Sequence, residues 1–187
     1  MPWNTPYVYL ARFDQLRGNS AGALALYQQG LKAIPGDLQL LLALAGYYEN
    51  RRDYHDAIAT YHSAVTANPA DAVATNNLAV LLVRQGGGTQ LKEAQKLVTN
   101  LASSVVPAFQ DTAVWVDLKS EETGKANTLL TKAVDAQPQV PIFQYHLGVA
   151  YHQKGNVADA RIHLAKAAAA PNFADAGKAR ALLRTLH

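Results

Sequence analysis

The chain of 187 residues contains no cysteine, which excludes disulfide bonds, thiolate metal ligands and thiol nucleophiles. It also lacks any apolar run of the ~18 residues that a membrane-spanning helix needs, so we expect no membrane insertion. Charge is nearly balanced, with 17 basic and 14 acidic residues spread along the chain. The basic stripe that binds nucleic acid is therefore missing, and we expect no nucleic-acid partner.

The first residues, MPWNTPYVYLARF, carry neither a basic segment nor a small-residue cleavage site, so they do not match the pattern of a signal peptide. They lead almost directly into helical sequence, and we expect the chain to be a segment of a longer protein. The absence of cysteine leaves the cellular compartment open.

What the chain does have is a pattern that recurs about every 34 residues. Tyr27 and Tyr61 are separated by this interval, and so are Pro35 and Pro69. The pattern aligns on one alanine in each copy, at Ala23, Ala57, Ala94, Ala126 and Ala160. Four residues later comes a large apolar or aromatic residue, at Tyr27, Tyr61, Val98, Leu130 and Leu164. Such spacing places both positions on one face of a helix.

Start and stop signals divide the chain into five helix–turn–helix repeats and a capping helix, with no alternating pattern typical of strands. The repeats span residues 6–36, 37–70, 71–106, 107–139 and 140–171, and the capping helix spans residues 173–186. Thr5, Asp37, Asp53 and Asp71 stand at predicted helix N-caps, and Gly18, Gly86 and Gly155 stand at predicted helix ends. The segment QGGGTQL predicts a lengthened turn in the third repeat.

These repeats resemble the tetratricopeptide repeat (TPR), most closely in LLLALAGYYENRRDYHDAIATYHSAVTANP and FQYHLGVAYHQKGNVADARIHLAKAAAAP. The resemblance implies an all-α fold, an α-solenoid of five helical pairs with a C-terminal capping helix, wound as a right-handed superhelix in one domain over residues 1–187. The segments DTAVW and YHLGVAYHQKG are also similar to bacterial TPR proteins of exopolysaccharide export and PEP-CTERM protein sorting. That narrower resemblance implies a periplasmic or outer-membrane-associated location, with the cytoplasm as the alternative.

The resemblance also implies that the first helix of each repeat lines a concave groove that binds a peptide or partner protein. By helical spacing, the candidate groove residues are Val8, Arg12, Leu42, Glu49, Asn76, Val80, Asp111, Trp115, Leu118, Tyr145, Val149 and His152. Trp115 and Tyr145 are the predicted anchors, because large amphipathic rings are favoured at binding hot spots. The alternative for Val80 and Leu118 is packing in the core. A second hypothesis is a structural module that self-assembles into a homo-oligomer.

No residue pattern indicates catalysis. The six histidines include no HExxH spacing, and QGGGTQ has neither a Gly-Lys-Ser/Thr motif nor a preceding strand. No nucleophile, base and orienting group come together in the pattern. We therefore predict that the chain is not an enzyme and holds neither a cofactor nor a metal.

Overall fold

The computed structural model describes residues 4–104, 106–120 and 123–186, without the side chains of residues 103, 107 and 123–128. The helices are α1 (Thr5–Leu16), α2 (Ser20–Ala33), α3 (Leu38–Asn50), α4 (Tyr54–Ala67), α5 (Ala72–Gln85), α6 (Gly88–Val98), α7 (Pro107–Lys119), α8 (Thr123–Ala136), α9 (Pro141–Gln153), α10 (Val157–Ala169) and α11 (Ala176–Thr185). A short 3₁₀ turn at Leu101–Ser103 precedes α7. No strand occurs in the described ranges, and the all-α prediction is confirmed.

The helices belong to two compact units. The N-terminal unit comprises Met1–Gln85, with α1 to α5, and the C-terminal unit comprises Gly86–His187, with α6 to α11. Within them α1 packs on α2, α3 on α4, α7 on α8 and α9 on α10, while α11 packs on α10. The paired helices α1–α2, α3–α4, α7–α8 and α9–α10 are therefore antiparallel hairpins, because a short turn joins the two members of each pair.

The turns inside the hairpins require left-handed backbone. Gly18 and Gly155 have φ angles of +77° and +74°, as their predicted position at helix ends demands. Arg52 occupies the equivalent turn between α3 and α4 and adopts φ of +65°. An arginine there carries the steric cost of its Cβ, which glycine avoids.

Aspartate side chains cap two of the four helices whose N-caps were predicted. Asp37 accepts a hydrogen bond from the Leu40 backbone N–H at 2.9 Å, and Asp71 accepts one from Ala74 at 2.7 Å. Asp53 stands at the N-cap of α4 but makes no capping bond. The prediction for Thr5 was wrong by one residue: Asn4 is the N-cap of α1, and its side chain is held by the Asp37 carboxylate at 2.8 and 2.9 Å.

The predicted lengthened turn in the third repeat is also wrong. Only Gly86 and Gly87 separate α5 from α6, because α5 continues to Gln85 and α6 already begins at Gly88. The extra length of this repeat lies instead after α6, in the segment that holds the 3₁₀ turn.

The core follows the 34-residue pattern. The aligned alanines Ala23, Ala57, Ala94 and Ala160 are completely buried, while the side chain of Ala126 lies outside the described residues. The large residues four positions later are buried as well, at Tyr27, Tyr61, Val98, Leu130 and Leu164. Small residues let two helices approach, and the large ones fill the space beside the contact.

Gly148 marks a close approach of α9 and α10. A Cβ on this residue would lie 2.6 Å from Leu164 Cγ and 3.0 Å from the Leu164 backbone nitrogen. Backbone atoms cannot move aside as a flexible side chain can, so α9 and α10 are close only because position 148 has no side chain.

Gly148→Ala is expected to lower the free energy of unfolding by about 1–3 kcal/mol, because the added methyl overpacks the contact between α9 and α10. Gly46→Ala in α3 is the matched control, since a Cβ there meets nothing within 4 Å. The control should gain up to about 1 kcal/mol from helix propensity. Urea unfolding measures both variants, and a Gly148→Ala midpoint at or above that of the wild type would contradict the expectation.

Candidate functional site

In the N-terminal unit, α1 and α3 frame a concavity of about 500 Å³. Three predicted groove residues line it together: Val8 and Arg12 from α1, and Leu42 from α3. Val8 and Leu42 are partly buried, whereas Arg12 is exposed. Thr5, Tyr9, Gln39 and Ala43 complete the lining, which is therefore of mixed polarity.

Two more predicted residues, Glu49 and Asn76, are joined by a hydrogen-bond network that crosses three helices. The Tyr61 hydroxyl donates to Glu49 Oε1 at 2.6 Å and accepts from Asn77 Nδ2 at 3.2 Å. Asn77 Oδ1 accepts from Asn76 Nδ2 at 3.2 Å. Glu49 is the terminal acceptor, because a carboxylate has no proton to donate.

The direction of these hydrogen bonds determines which side-chain atom of Asn76 is left without a partner. Because Tyr61 has one proton and gives it to Glu49, Asn77 must turn its NH₂ group toward the tyrosine oxygen. Asn77 then presents its carbonyl to Asn76, which leaves Asn76 Oδ1 as an acceptor. This oxygen is buried and has no hydrogen-bond partner among the described residues.

In the C-terminal unit the predicted anchors Trp115 and Tyr145 lie side by side, with ring centroids 5.8 Å apart. The Tyr145 ring also lies 6.1 Å from Phe173, which precedes α11. We call Trp115, Tyr145 and Phe173 the aromatic ladder. Trp115 and Phe173 are partly exposed, while Tyr145 is almost fully buried between them. The ladder runs across α7, α9 and the start of α11.

A buried polar pair holds the ladder in place. The His146 ring stacks on Trp115 at 4.0 Å with an interplanar angle of 13°. Its Nδ1 donates to Asp111 Oδ1 at 2.8 Å, and both side chains are only 6% exposed. Asp111 was predicted to line the groove. The structure corrects this, because its carboxylate is used inside the core to orient His146.

Leu118 is likewise a core residue, with no exposed surface, and it packs in one cluster with Leu130 and Phe143. The surface residue at this end of α7 is Lys119, whose Nζ lies 4.5 Å from the centroid of the Trp115 ring. The predicted stripe of Asp111, Trp115 and Leu118 therefore points mostly inward. Spacing alone missed Lys119, although its position four residues after Trp115 is a usable signal.

The remaining predicted residues differ in exposure. Val80 on α5 is 41% exposed, Val149 on α9 is 8% exposed, and His152 is partly exposed near the end of α9. Val149 belongs to the core cluster of α9, α10 and α11, so little of it is available to a partner. Val80 and His152 retain surface for contact.

Models of the tetratricopeptide repeat match residues 38–81 and residues 112–176, which together make up more than half of the chain. The chain belongs to the tetratricopeptide repeat family. This TPR chain is similar to cellulose synthase operon protein C of Pseudomonas fluorescens (strain SBW25), at 27% identity over 169 residues. The match covers 85% of this chain and spans only 13% of that relative's length.

Solved structures show the same TPR fold. YrrB, described as a TPR protein with an unusual peptide-binding site, matches at 17% identity and a TM-score of 0.73, covering 97% of this chain and 91% of that one. MamA from Desulfovibrio magneticus RS-1 matches at 18% identity and a TM-score of 0.73, covering 89% of this chain and 94% of that one. At these identities the likeness establishes the fold.

TPR folds typically bind other proteins and typically carry no catalytic centre. Among the residues that the structure describes, no three His, Asp or Glu side chains come together as a metal site would require. Within the same residues, no helix combines the length and the apolar character needed to cross a bilayer.

Burial and neighbouring charges shift two pKa values at the aromatic ladder, in opposite directions. Partial desolvation, together with the like charge of Lys178 on α11, lowers the pKa of Lys119. Burial, together with the negative charge of Asp175, raises the pKa of Tyr145. Lys178 is paired with Asp175 at 2.7 Å.

Tyr61→Phe is expected to lower the free energy of unfolding at neutral pH by about 1–3 kcal/mol, because Glu49 loses its donor and Asn77 loses its acceptor. Burial, followed by the bond to Glu49 and its charge, raises the pKa of Tyr61 above the ordinary 10.0. The wild type therefore loses this contribution as the pH rises above 10.0, because the unfolded chain ionises first.

The phenylalanine variant has no such group, so its deficit relative to the wild type should shrink above pH 10. Urea unfolding at pH 7, 9 and 10.5 measures the difference. A deficit that is constant or grows with pH would contradict the proposed direction of the hydrogen bonds.

Proposed function

We propose that this TPR chain is a protein-interaction scaffold that binds an extended peptide, or a segment of a partner protein, on the inner faces of its first helices. Support comes from the surfaces of each unit taken separately. The N-terminal unit offers the concavity at Val8, Arg12 and Leu42, and the C-terminal unit offers the aromatic ladder. Both surfaces are built from first helices, or from the capping segment that follows the last pair.

The observation that carries the proposal is the fixed orientation of Trp115. Its ring is stacked on His146, and the Asp111 carboxylate fixes His146 in turn, yet the tryptophan is still partly exposed. An aromatic side chain ordered before binding loses little entropy when a partner covers it. Rigid, partly exposed tryptophans are the residues on which binding energy concentrates.

We further propose that the setting is bacterial exopolysaccharide secretion. The support is the similarity to cellulose synthase operon protein C, of which this chain matches a small part. In that setting the groove holds a protein of the export machinery. Site-specific photocrosslinking from position 80, whose side chain is exposed on α5, tests this in the source bacterium. Crosslinks to proteins with no role in exopolysaccharide export would contradict the setting.

Trp115→Ala is expected to weaken partner binding at least tenfold, because the anchor of the groove is lost. It will also reduce stability, since Trp115 packs against both core clusters of the C-terminal unit. Affinity capture on immobilised protein, compared between the wild type and the variant, measures the loss.

Val114→Ala is the control for lost stability. Val114 lies next to Trp115 on α7 but is 1% exposed, so it removes core volume without changing the groove surface. Circular dichroism should show both variants folded at the temperature of capture. If the two variants lose the same partners to the same extent, Trp115 acts through folding and not as a binding anchor.

A self-assembling module is the second candidate, and one observation favours it. Large apolar side chains on α1 are exposed: Tyr9 at 67%, Leu10 at 53%, Phe13 at 54% and Leu16 at 88%. The positions on α3 that are equivalent to Leu10 and Phe13, at Leu44 and Tyr47, are buried. Contiguous exposed apolar surface of this kind marks association sites.

If the chain self-assembles through α1, then Leu16→Glu should convert an oligomer to a monomer, because a carboxylate cannot be buried unpaired at an interface. Multi-angle light scattering over a range of concentrations measures the mass. Ile162→Glu is the matched control, since Ile162 is 52% exposed on α10, which belongs to the C-terminal unit. A wild-type mass equal to that of one chain at all concentrations would remove this candidate.

A further inference from the structure

One face of α1 presents a line of apolar side chains to solvent. Leu10 and Phe13 are 53% and 54% exposed, and Pro6 is exposed one turn earlier. Positions i, i+4 and i+7 lie on the same side of a helix, so these three residues form a continuous line. We call Pro6, Leu10 and Phe13 the α1 stripe. Tyr9 and Leu16, which are also exposed, flank it.

The later first helices of the N-terminal unit bury the same positions. At one and at two intervals of 34 residues, the counterparts of the α1 stripe are all at most 6% exposed: Leu40, Leu44 and Tyr47 on α3, then Ala74, Leu78 and Leu81 on α5. Each of these helices packs against the second helix that precedes it, α3 against α2 and α5 against α4. The α1 stripe is therefore equivalent to a surface that receives a second helix twice within this unit.

The contact between α2 and α3 shows what such a surface receives. Tyr27 of α2 is buried in one cluster with Leu40 and Tyr47, and its ring centroid lies 6.1 Å from that of Tyr47. Ala23, one turn earlier on α2, belongs to the same cluster. Gly30, one turn later, brings α2 so close that a Cβ on it would lie 2.9 Å from Leu40 Cδ2. The incoming helix thus offers a small residue, an aromatic ring four residues later and a glycine three residues after the ring.

The exposed Phe13 already makes the contact that its buried counterpart makes. The Arg17 guanidinium lies over the Phe13 ring, 5.6 Å from the centroid. On α3 the equivalent pair is Arg51 over Tyr47, at the same 5.6 Å. A ring that is ordered before binding loses little entropy when a partner covers it. The α1 stripe is therefore prepared for a helix in the way that α3 is.

A folded second copy of the chain has no second helix to offer. In the part of the chain that the structure describes, every second helix already packs against the helix that follows it: α2 on α3, α4 on α5, α6 on α7, α8 on α9 and α10 on α11. Two α1 stripes facing each other are disfavoured as well, because the exposed charges beside the stripe, Arg12 and Arg17, are both cationic and would meet their own copies.

We propose that the α1 stripe is a docking surface for one amphipathic helix of a partner protein, which packs on α1 as α2 packs on α3. The partner helix is recognised by a small residue, an aromatic ring four residues later and a small residue three after the ring. Pro6, Leu10 and Phe13 do not line the concavity between α1 and α3, so docking here is separate from the peptide binding proposed above. It also differs from self-association, in which a second copy covers α1.

The probe is the helix that this chain itself packs in that way. A synthetic peptide of residues 19–36, blocked at both ends, carries a hydrocarbon staple between positions 25 and 29, which are exposed on α2. The staple is needed because an isolated helix of this length is marginal in water. Fluorescence anisotropy of the labelled peptide, titrated with the full chain, measures the affinity.

The expected result is that the peptide binds the wild-type chain and that Phe13→Ser in the chain weakens binding at least fivefold. Tyr27→Ser in the peptide should weaken binding to a similar extent. The two losses should not add when both changes are combined, because they remove the same pair of rings. Ile162→Ser is the matched control, since Ile162 is 52% exposed on α10, and it should leave the affinity unchanged. Because Phe13 is exposed, Phe13→Ser should change the thermal midpoint by no more than a few degrees.

No binding of the stapled peptide would overturn the inference. Equal affinities of the wild type and Phe13→Ser, or fully additive losses in the combination, would overturn it too, because the peptide would then be held elsewhere or by general apolar adhesion. A wild-type dimer in light scattering that Leu16→Glu dissociates would assign the α1 stripe to a second copy, with the same consequence. Failure of the proposed groove function is a different result, namely partner capture that does not distinguish Trp115→Ala from Val114→Ala.

Discussion

The contact on which this structure depends is the close approach of two paired helices at a small residue. Where Gly148 faces Leu164, or where a buried alanine such as Ala23 or Ala57 faces its partner helix, the backbones come near enough to fix the register of the pair. With the register fixed, the large side chain four residues later is carried into the core. Repetition of this contact places successive first helices side by side within each unit, and their remaining faces become surface.

The two units surround their first helices with different polar side chains. In the N-terminal unit a carboxylate, Glu49, sets the direction of a hydrogen-bond network that ends at an unsatisfied acceptor on Asn76. In the C-terminal unit a buried carboxylate, Asp111, orients a histidine that supports a tryptophan, and Lys119 lies over the tryptophan ring. In both cases a partly or fully buried acid has a local role, which is to fix the geometry of the side chains around it.

The sequence predicted the candidate site in part. Val8, Arg12 and Leu42, selected by helical spacing, line one concavity, because residues on equivalent turns of adjacent first helices meet whenever the repeat is regular. Their role in binding a partner stays a prediction. Spacing misplaced Asp111 and left Leu118 open between groove and core, because positions three and four residues apart are both neighbours on a helix and spacing does not separate the inward from the outward side. Lys119 was missed, since the contact of its ammonium with the Trp115 ring is set by the packing of both side chains.

What the sequence alone determined was the repeat: its period near 34 residues, the small and large core positions and the ends of most helices, all of which follow from local backbone preferences and from periodicity. The tertiary structure decided which polar groups are buried, which way each hydrogen bond points and which charges face one another. Those properties depend on contacts between residues far apart in the chain, such as His146 with Asp111 and Tyr61 with Asn77. No local pattern encodes such a contact, because it exists only after the helices have packed.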